Sequence, residues 1–154
     1  MVELDTKQQI LAEAYRIAMG QAGGTLATVH ADDATPYVTF VLFHLRESGE
    51  LLFGSGTSQQ QSLNIEATPE VSFLVDNREV IATNWMEFDR VVIEGSAELI
   101  PNEDPRYAAY LSELDAKSEL AGRFTRAGNL YCIRPRRLLL AKGSQPGRHF
   151  VEFE

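Results

Sequence analysis

The segment from Pro36 to Asp76 constrains the fold more than any other part of the chain. Its period-two pattern of apolar and β-branched residues predicts a long strand at Tyr37–Leu45, which a tight turn joins to a second strand at Glu50–Ser55. A short helix at Ser58–Ala67 and a further strand at Val71–Asp76 follow. Because tight turns connect antiparallel neighbours, the segment predicts antiparallel β-structure with a helix inserted into it.

The loop within this segment, Gly54-Ser55-Gly56-Thr57-Ser58, leads directly into the short helix. The first N–H groups of a helix lack intrahelical acceptors and carry partial positive charge, so they form a ready site for a phosphate. The glycines and hydroxyls beside them predict a phosphorylated ligand. A second interpretation stays open, since Ser58 with Gln61 and Thr57 with Gln60 each have the spacing of a capping box that needs no ligand.

The remaining segments add helices and strands around this unit. An amphipathic helix is predicted over residues 4–20, with Asp5 and Gln8 as its capping box. Asp104 and Pro105 predict the start of a helix that ends near Ala116. The other predicted elements are strands at Thr25–His30, Phe88–Ile100 with a bulge or a close backbone approach at Gly95, Asn129–Arg134, Arg137–Lys142 and Arg148–Phe153, and a short helix at Ser118–Thr125. Short turns between so many strands predict a mainly β (α+β) protein, an antiparallel split β-barrel with flanking helices.

Composition narrows the class of protein. The 154 residues predict one domain over residues 1–154, long enough for a substantial core. The net charge of −8 argues against nucleic acid as a partner, because phosphate backbones are held by clustered Lys and Arg. No apolar run approaches the length that spans a membrane, and the single cysteine, Cys132, permits no internal disulfide. We therefore expect a cytoplasmic protein that does not insert into a membrane.

Several spaced residues carry the pattern of a known family. They are Pro36-Tyr37 before an apolar strand, Gly49, Leu52-Phe53, Asn64-Ile65, Pro69-x-Val71-Ser72 and the strand Arg90-Val91-Val92-Ile93-Glu94-Gly95-Ser96-Ala97-Glu98. Together they span roughly residues 24–100. This arrangement resembles the pyridoxamine 5'-phosphate oxidase-like family of FMN-binding split barrels.

The resemblance implies a homodimer that holds an FMN in each cleft between the two subunits. It also implies a flavin-dependent oxidoreductase acting on a small-molecule redox substrate, in which the flavin carries the electrons and no catalytic side chain is assigned. The resemblance places Thr39, Val41 and Phe43 along the flavin, Ser55, Gly56, Thr57, Gln60, Gln61 and Asn64 around the ribityl chain and phosphate, and Trp85 and Arg90 in the cleft from the neighbouring subunit.

Three positions depart from the family pattern. Many members carry basic residues where this chain has Thr39, Gln60 and Gln61, and those charges bind the FMN phosphate. A sister branch linked to haem utilisation has a His-Thr-x-Asn pattern where this chain has Gln61-Ser62-Leu63-Asn64. The resemblance therefore leaves a deazaflavin (F420) or haem as alternative cofactors. It also leaves a non-enzymatic dimeric binding or sensor module as an alternative function.

Histidines are the remaining candidates for chemistry. His44 lies on the long predicted strand, and the resemblance places it next to a position that contacts substrate in the parent oxidases. A structural or solvent-facing histidine is the alternative interpretation. His30 and His149 are distant in sequence, and no spacing of His, Cys or carboxylates matches a metal motif, so no metal site is predicted.

Overall fold

The computed structural model describes residues 2–154. Within this range the chain forms four α-helices and seven strands: α1 (Lys7–Met19), β1 (Gly23–Val29), β2 (Pro36–Leu45), β3 (Leu51–Ser55), α2 (Gln60–Ala67), β4 (Glu70–Asp76), β5 (Asp89–Ile100), α3 (Tyr107–Lys117), α4 (Glu119–Ala127), β6 (Asn129–Lys142) and β7 (His149–Glu152). Two short 3-10 turns, Arg78–Val80 and Trp85–Glu87, lie between β4 and β5. None of the helices in the described range is long and apolar enough to cross a membrane.

Six of the strands close into an antiparallel barrel. They follow one another in the order β3-β2-β1-β4-β5-β6, and β6 pairs with β3 to complete the ring. β7 pairs with the second half of β6 and adds a seventh strand beside the ring. The closed barrel with its flanking helices confirms the predicted mainly β fold.

β6 is one strand of 14 residues, although the sequence predicted two strands separated at Pro135 and Arg136. Proline has no N–H to donate, so it usually interrupts strand pairing. Here Pro135 lies opposite Gly95 of β5, and the register shifts between Glu94 and Gly95. A Cβ on Gly95 would come within 2.1 Å of the Arg134 carbonyl oxygen, so only glycine permits this close approach. The register shift leaves Arg136 of β6 as the extra residue opposite Glu94 and Gly95. The predicted close backbone approach at Gly95 is therefore confirmed, and the bulge at this point keeps β6 continuous.

The barrel interior is filled by aromatic and aliphatic side chains. Phe43, Phe53 and Phe73 are fully buried, and the Phe43 and Phe73 ring centroids lie 5.1 Å apart. The apolar composition of β4 predicted a strand buried on both faces, but only alternate residues, such as Val71 and Val75, are buried. One face of β4 fills the barrel and the other is partly exposed, as the two-residue period of a strand dictates.

The predicted start of α1 is wrong by three residues. The helix begins at Lys7, and Thr6 is its N-cap, with extended backbone angles of φ −119° and ψ 159°. The Thr6 hydroxyl accepts the Gln9 N–H at 3.1 Å, and the Gln9 side chain accepts the Thr6 N–H at 3.0 Å. The capping box therefore uses Thr6 and Gln9 instead of Asp5 and Gln8. Both pairs have the same spacing, and only the backbone conformation distinguishes them.

The start of α3 also differs from the prediction. The helix begins at Tyr107, although Asp104 and Pro105 predicted its first turn. The Asp104 carboxylate accepts hydrogen bonds from the Arg106 guanidinium and backbone N–H, and these bonds lower the pKa of Asp104 to about 2. Asp104 thus closes a turn before the helix instead of capping it. At the next helix the Ser118 hydroxyl accepts an N–H of the first turn of α4.

A buried ion cluster ties α1 to the barrel. The Lys142 ammonium lies 2.8 Å from a carboxylate oxygen of Glu13 and 3.1 Å from one of Asp89, and all three side chains are at least nine-tenths buried. Arg16 donates a further hydrogen bond to Glu13. Burial alone would raise the pKa of Glu13, but the hydrogen bonds from Arg16 and Lys142 outweigh it and the pKa is lowered. Glu13 is therefore ionised, and its negative charge is stabilised by Arg16 and Lys142.

We expect Lys142→Met to lower the free energy of unfolding by about 3–5 kcal/mol, because it leaves two buried carboxylates without their shared cation. Arg123→Met removes an exposed partner of Glu119 and should cost less than about 1 kcal/mol. Urea unfolding of both variants measures the difference. Equal effects of the two substitutions would contradict the assignment of the cluster as a buried tether.

Candidate functional site

A cleft of about 480 Å³ lies on the outer surface of the barrel. Its walls are β2, the β3–α2 loop (residues 54–59) with the start of α2, and α4. The residues that line it are Phe40, Val41, Leu42, Gly54, Ser55, Gly56, Gln59, Gln61, Leu120, Ala121, Phe124 and Ala127. Concave, mostly apolar sites of this size with a few polar groups are typical of small-molecule and cofactor binding. We refer to it as the cleft.

Apolar side chains from two elements form most of the cleft walls. On β2, side chains alternate between the barrel core and the outside, so Phe40 faces outward and is 67% exposed. On α4, Leu120, Phe124 and Ala127 recur at helical spacing and line the cleft, and Phe124 is 53% exposed. Two aromatic side chains thus stand in the walls of the cleft without being covered by the rest of the chain.

The polar end of the cleft is held in shape by a pair of serines. The Ser62 hydroxyl on α2 lies 2.7 Å from the Ser55 hydroxyl and 2.7 Å from the Gly56 carbonyl oxygen. Gly54 lets the β3–α2 loop approach α4, since a Cβ there would come within 2.1 Å of the Thr125 hydroxyl oxygen. These contacts fix the loop between α2 and α4.

No side chain caps the N-terminus of α2. Its N-cap residue is Gln59, which makes no side-chain capping hydrogen bond. The capping boxes that the sequence offered, Ser58 with Gln61 and Thr57 with Gln60, do not form. Within residues 2–154 the backbone N–H groups of Gln60 and Gln61 have no hydrogen-bond acceptor. The first turn of α2 therefore keeps donors free at the polar end of the cleft.

The Gln61 side chain is the most informative polar group of the cleft. It lines the cleft and its residue is only 7% exposed, yet its amide makes no hydrogen bond to the described part of the chain. Gln60 differs, because its amide donates to Asn64 at 2.8 Å. Because this amide lines the cleft and is bonded to no other group of the described chain, Gln61 is positioned to bond to something that enters the cleft.

Asn64 lies inside the protein and not in the cleft lining. Its side-chain oxygen accepts the Ala31 N–H at 2.8 Å, and its amide donates to the Thr28 hydroxyl at 2.9 Å. It is completely buried and ties α2 to β1 and to the turn that follows β1. These hydrogen bonds give Asn64 a structural role that requires no ligand.

The structure brings some of the residues singled out in the sequence together and separates others. The cleft lining includes Val41, Ser55, Gly56 and Gln61, and leaves out Thr39, Phe43, Thr57, Gln60, Asn64, Trp85 and Arg90. Phe43 points into the barrel core, because residues of odd number on this part of β2 face inward. Trp85 is exposed and lies 5.2 Å from the Phe88 ring, over which the Arg90 guanidinium also stacks.

Sequence reasoning missed the α4 wall and the outward residues of β2. The missed lining residues are Phe40, Leu42, Gly54, Gln59, Leu120, Ala121, Phe124 and Ala127. The spacing of Leu120, Phe124 and Ala127 carries a signal, since it marks an apolar helix stripe. Which barrel strand this stripe meets is decided by tertiary packing.

His44 belongs to a different pocket. It is buried on β2, with Nε2 3.4 Å from a carboxylate oxygen of Glu113, which also accepts a hydrogen bond from Arg46. Burial lowers the pKa of His44, and the Glu113 carboxylate opposes that shift only in part. This smaller pocket of about 340 Å³ also includes Tyr15 and Glu47, and it shares no lining residue with the cleft.

Lys117 fastens the end of α3 to β2. Its ammonium donates to the Phe43 carbonyl oxygen at 2.8 Å and lies 3.6 Å from the centroid of the Phe43 ring. Burial lowers the pKa of Lys117 to about 8. Since α4 follows α3 directly, this contact helps to hold the α4 wall of the cleft in place.

We expect the stability that Lys117 contributes to rise with pH. Its pKa of about 8 in the folded chain lies below its ordinary value of 10.5, so between these values the unfolded chain binds more protons than the folded chain. Relative to Lys117→Met, the native protein should gain about 1 kcal/mol between roughly pH 7 and pH 9.5, after allowance for partial exposure. Urea unfolding at both pH values measures this, and a constant difference would contradict it.

Comparison with known proteins identifies the family. The family model of pyridoxamine 5'-phosphate oxidase matches residues 13–138, which is most of the chain. The chain therefore belongs to the pyridoxamine 5'-phosphate oxidase family. The match includes five barrel strands completely and most of the sixth, together with the β3–α2 loop and α4. No curated protein sequence matches the chain.

Solved structures with the same fold bind different groups. A haem-binding protein from Mycobacterium smegmatis superposes with a TM-score of 0.77 at 19% identity, over 92% of this chain and 57% of that one. The haem storage protein HutZ from Vibrio cholerae gives 0.62 at 17%, over 92% of both chains. An FAD-binding protein from Mesorhizobium loti gives 0.63 at 18%, over 82% of this chain and 88% of that one. At sequence identities this low, the structural similarity shows that the proteins share a fold.

Proposed function

We propose that this protein is a homodimer that binds FMN in the cleft and acts as a small flavin-dependent oxidoreductase. The observation that carries the proposal is the composition of the cleft. Apolar and aromatic walls lead to a polar end that offers the unpaired Gln61 amide and the free N–H groups of α2. A flavin has the same division, with a flat aromatic ring at one end and a polar chain and phosphate at the other.

The walls of the cleft fit an isoalloxazine ring. Phe40, Leu120 and Phe124 offer apolar and aromatic surface from two directions. Aromatic side chains pack against flat π-systems in stacked or edge-to-face arrangements, so these walls suit an aromatic ring. The cleft volume of about 480 Å³ lies in the range of cofactor sites.

The polar end offers neutral groups to the polar chain of a flavin. The candidates are the Gln61 and Gln59 amides and the backbone N–H groups of Gln60 and Gln61. The α2 dipole adds partial positive charge at this end. In this arrangement the β3–α2 loop, held by its serine pair, orients the polar part of the flavin.

A second copy of the chain would complete the site. Val38 and Phe40 on β2 are 63% and 67% exposed, and Phe40 lines the cleft together with Phe124 on α4. Apolar side chains exposed together mark an interaction surface. In the proposed dimer this surface is covered by the second copy, whose Trp85 and Arg90 reach the cleft as the family resemblance implies.

When bound, FMN supplies the capacity to accept and donate electrons or hydride. The cleft lining contains no titratable side chain, so the chain's own contribution is to bind, orient and shield the ring. With a flavin bound, Phe40, Leu42 and Phe124 would pack against the ring and shield part of it from water.

Haem is the second candidate, supported by the haem-binding proteins that share this fold. A planar macrocycle also suits apolar walls. However, no lining residue in the described chain is a His, Cys, Met or Tyr, the usual axial ligands of haem iron. The cleft therefore favours a flavin.

Purified protein mixed with FMN and passed through a gel-filtration column tests the proposal. We expect flavin absorption bands to co-elute with a dimer, and an added nicotinamide donor to bleach them. Elution of the protein without flavin would contradict the proposal, and an intense haem Soret band in the purified protein would replace it with the second candidate.

We expect Phe124→Asp to weaken FMN binding by at least about tenfold, because it places a charge in the apolar wall of the cleft. Phe150→Asp is the matched control, since Phe150 on β7 is equally exposed, at 52%, and lies outside the cleft. Titration of both variants with FMN, followed by flavin fluorescence, measures the effect. Equal losses in the two variants would count against this cleft as the binding site.

A further inference from the structure

We infer that the cleft recognises the ring and ribityl chain of a flavin and not its phosphate, with Gln61 as the residue that sets this preference. The inference rests on the proposed function. It predicts that riboflavin, which lacks the phosphate, binds nearly as tightly as FMN. Three features of the structure carry it: the charge of the lining, the chemistry of the Gln61 amide and the shortness of α2.

The cleft has no charge to offer a phosphate dianion. None of its twelve lining residues is charged. The two arginines of α4 are already paired, Arg123 with Glu119 at 3.5 Å and Arg126 with Asp115 at 2.5 Å. The chain as a whole carries a net charge of −8, which further disfavours an anion. A phosphate therefore finds no cationic partner among the lining residues.

The Gln61 amide matches hydroxyl groups better than a phosphate. An amide offers both an N–H donor and a carbonyl acceptor, whereas a phosphate dianion only accepts hydrogen bonds. Hydroxyl groups donate and accept, so a ribityl chain can use both halves of the Gln61 amide. A phosphate at the same place would use only the N–H half of the amide and leave its carbonyl oxygen unused.

The helix dipole is too weak to restore a preference for phosphate. α2 has 8 residues, and its free N–H groups can bond to a hydroxyl oxygen or to a phosphate oxygen. The extra attraction of an anion to a helix N-terminus amounts to about two- to fivefold in affinity. A lysine–phosphate contact would contribute about ten- to a hundredfold.

Arg90 does not supply the missing charge. Its guanidinium stacks over the Phe88 ring of its own chain, 5.4 Å from the centroid, and its Nε is buried. Arg90 lies outside the cleft lining of its own chain, and in the proposed dimer it would arrive already stacked on an aromatic face.

Titration of the native protein with riboflavin and with FMN, followed by flavin fluorescence, tests the inference. We expect dissociation constants within about tenfold of each other, and an FMN affinity that a tenfold rise in salt changes by less than about twofold. FMN binding tighter than riboflavin by about a hundredfold would overturn the inference and leave the proposed function intact. If neither flavin binds, the proposed function fails.

Substitution at Gln61 tests the assigned residue. Gln61→Lys should tighten FMN binding by about ten- to a hundredfold, because only FMN presents an anion, and should weaken riboflavin binding, because Lys has no acceptor for a ribityl hydroxyl. Gln8→Lys on the exposed face of α1 makes the same charge change away from the cleft and should alter neither affinity. Tightening of both flavins alike, or an equal effect of the control, would overturn the assignment. Circular dichroism spectra of the variants verify that they fold.

Discussion

The pairing of β3 with β6 is the contact on which the barrel and the cleft both depend. It closes the ring of six strands, and its last pair, Ser55 opposite Asn129, fixes the point where two walls of the cleft meet. The β3–α2 loop leaves the barrel at Ser55, and α4 ends just before Asn129. A Cβ on Gly128 would come within 2.3 Å of the Ser55 carbonyl oxygen, so the two backbones touch at this junction. Closing the barrel therefore sets the loop beside α4.

The length of β6 makes that closure possible. The strand must reach β3 with one half and β7 with the other while it stays paired with β5 throughout. The bulge at Gly95 absorbs Pro135, which would otherwise divide β6 into two strands. Gly95 on β5 therefore keeps β6 continuous, and β6 in turn fixes where α4 ends. Larger side chains at Gly95 would disturb the cleft without touching it.

Polar groups in the protein fall into two sets that differ in their need for a ligand. The Asn64 side chain and the Ser55–Ser62 pair complete their hydrogen bonds inside the chain, and the cluster of Glu13, Lys142 and Asp89 is paired internally. Gln61 has no such partner. Its amide, in a cleft walled by exposed aromatic side chains, is therefore available to a ligand.

The sequence supported a good prediction of the barrel, because alternating strands and tight turns are local signals. The bulge at Gly95 was predictable for the same reason. The continuity of β6 was not, since the tolerance for Pro135 comes from a residue some forty positions earlier in the chain. The predicted cap of α1 was misplaced because Asp5 with Gln8 and Thr6 with Gln9 have the same spacing, and both match a capping box.

The candidate site was only half predictable. The β3–α2 loop stands out by its glycines and hydroxyls, and Val41, Ser55, Gly56 and Gln61 do line the cleft. The Phe43 side chain points into the barrel core, and this direction depends on the strand register, which composition does not reveal. The α4 wall is set by long-range packing, so no local pattern connects Phe124 with β2.

Hydrogen exchange of backbone amides in the native protein, with and without FMN, tests most directly whether the cleft is the flavin site. The account predicts slower exchange in two segments, residues 54–63 and the α4 segment, with the largest change at the free N–H groups of Gln60 and Gln61. Slower exchange around His44 and Glu113 instead, with none at α2, would place the flavin in the other pocket and contradict the account.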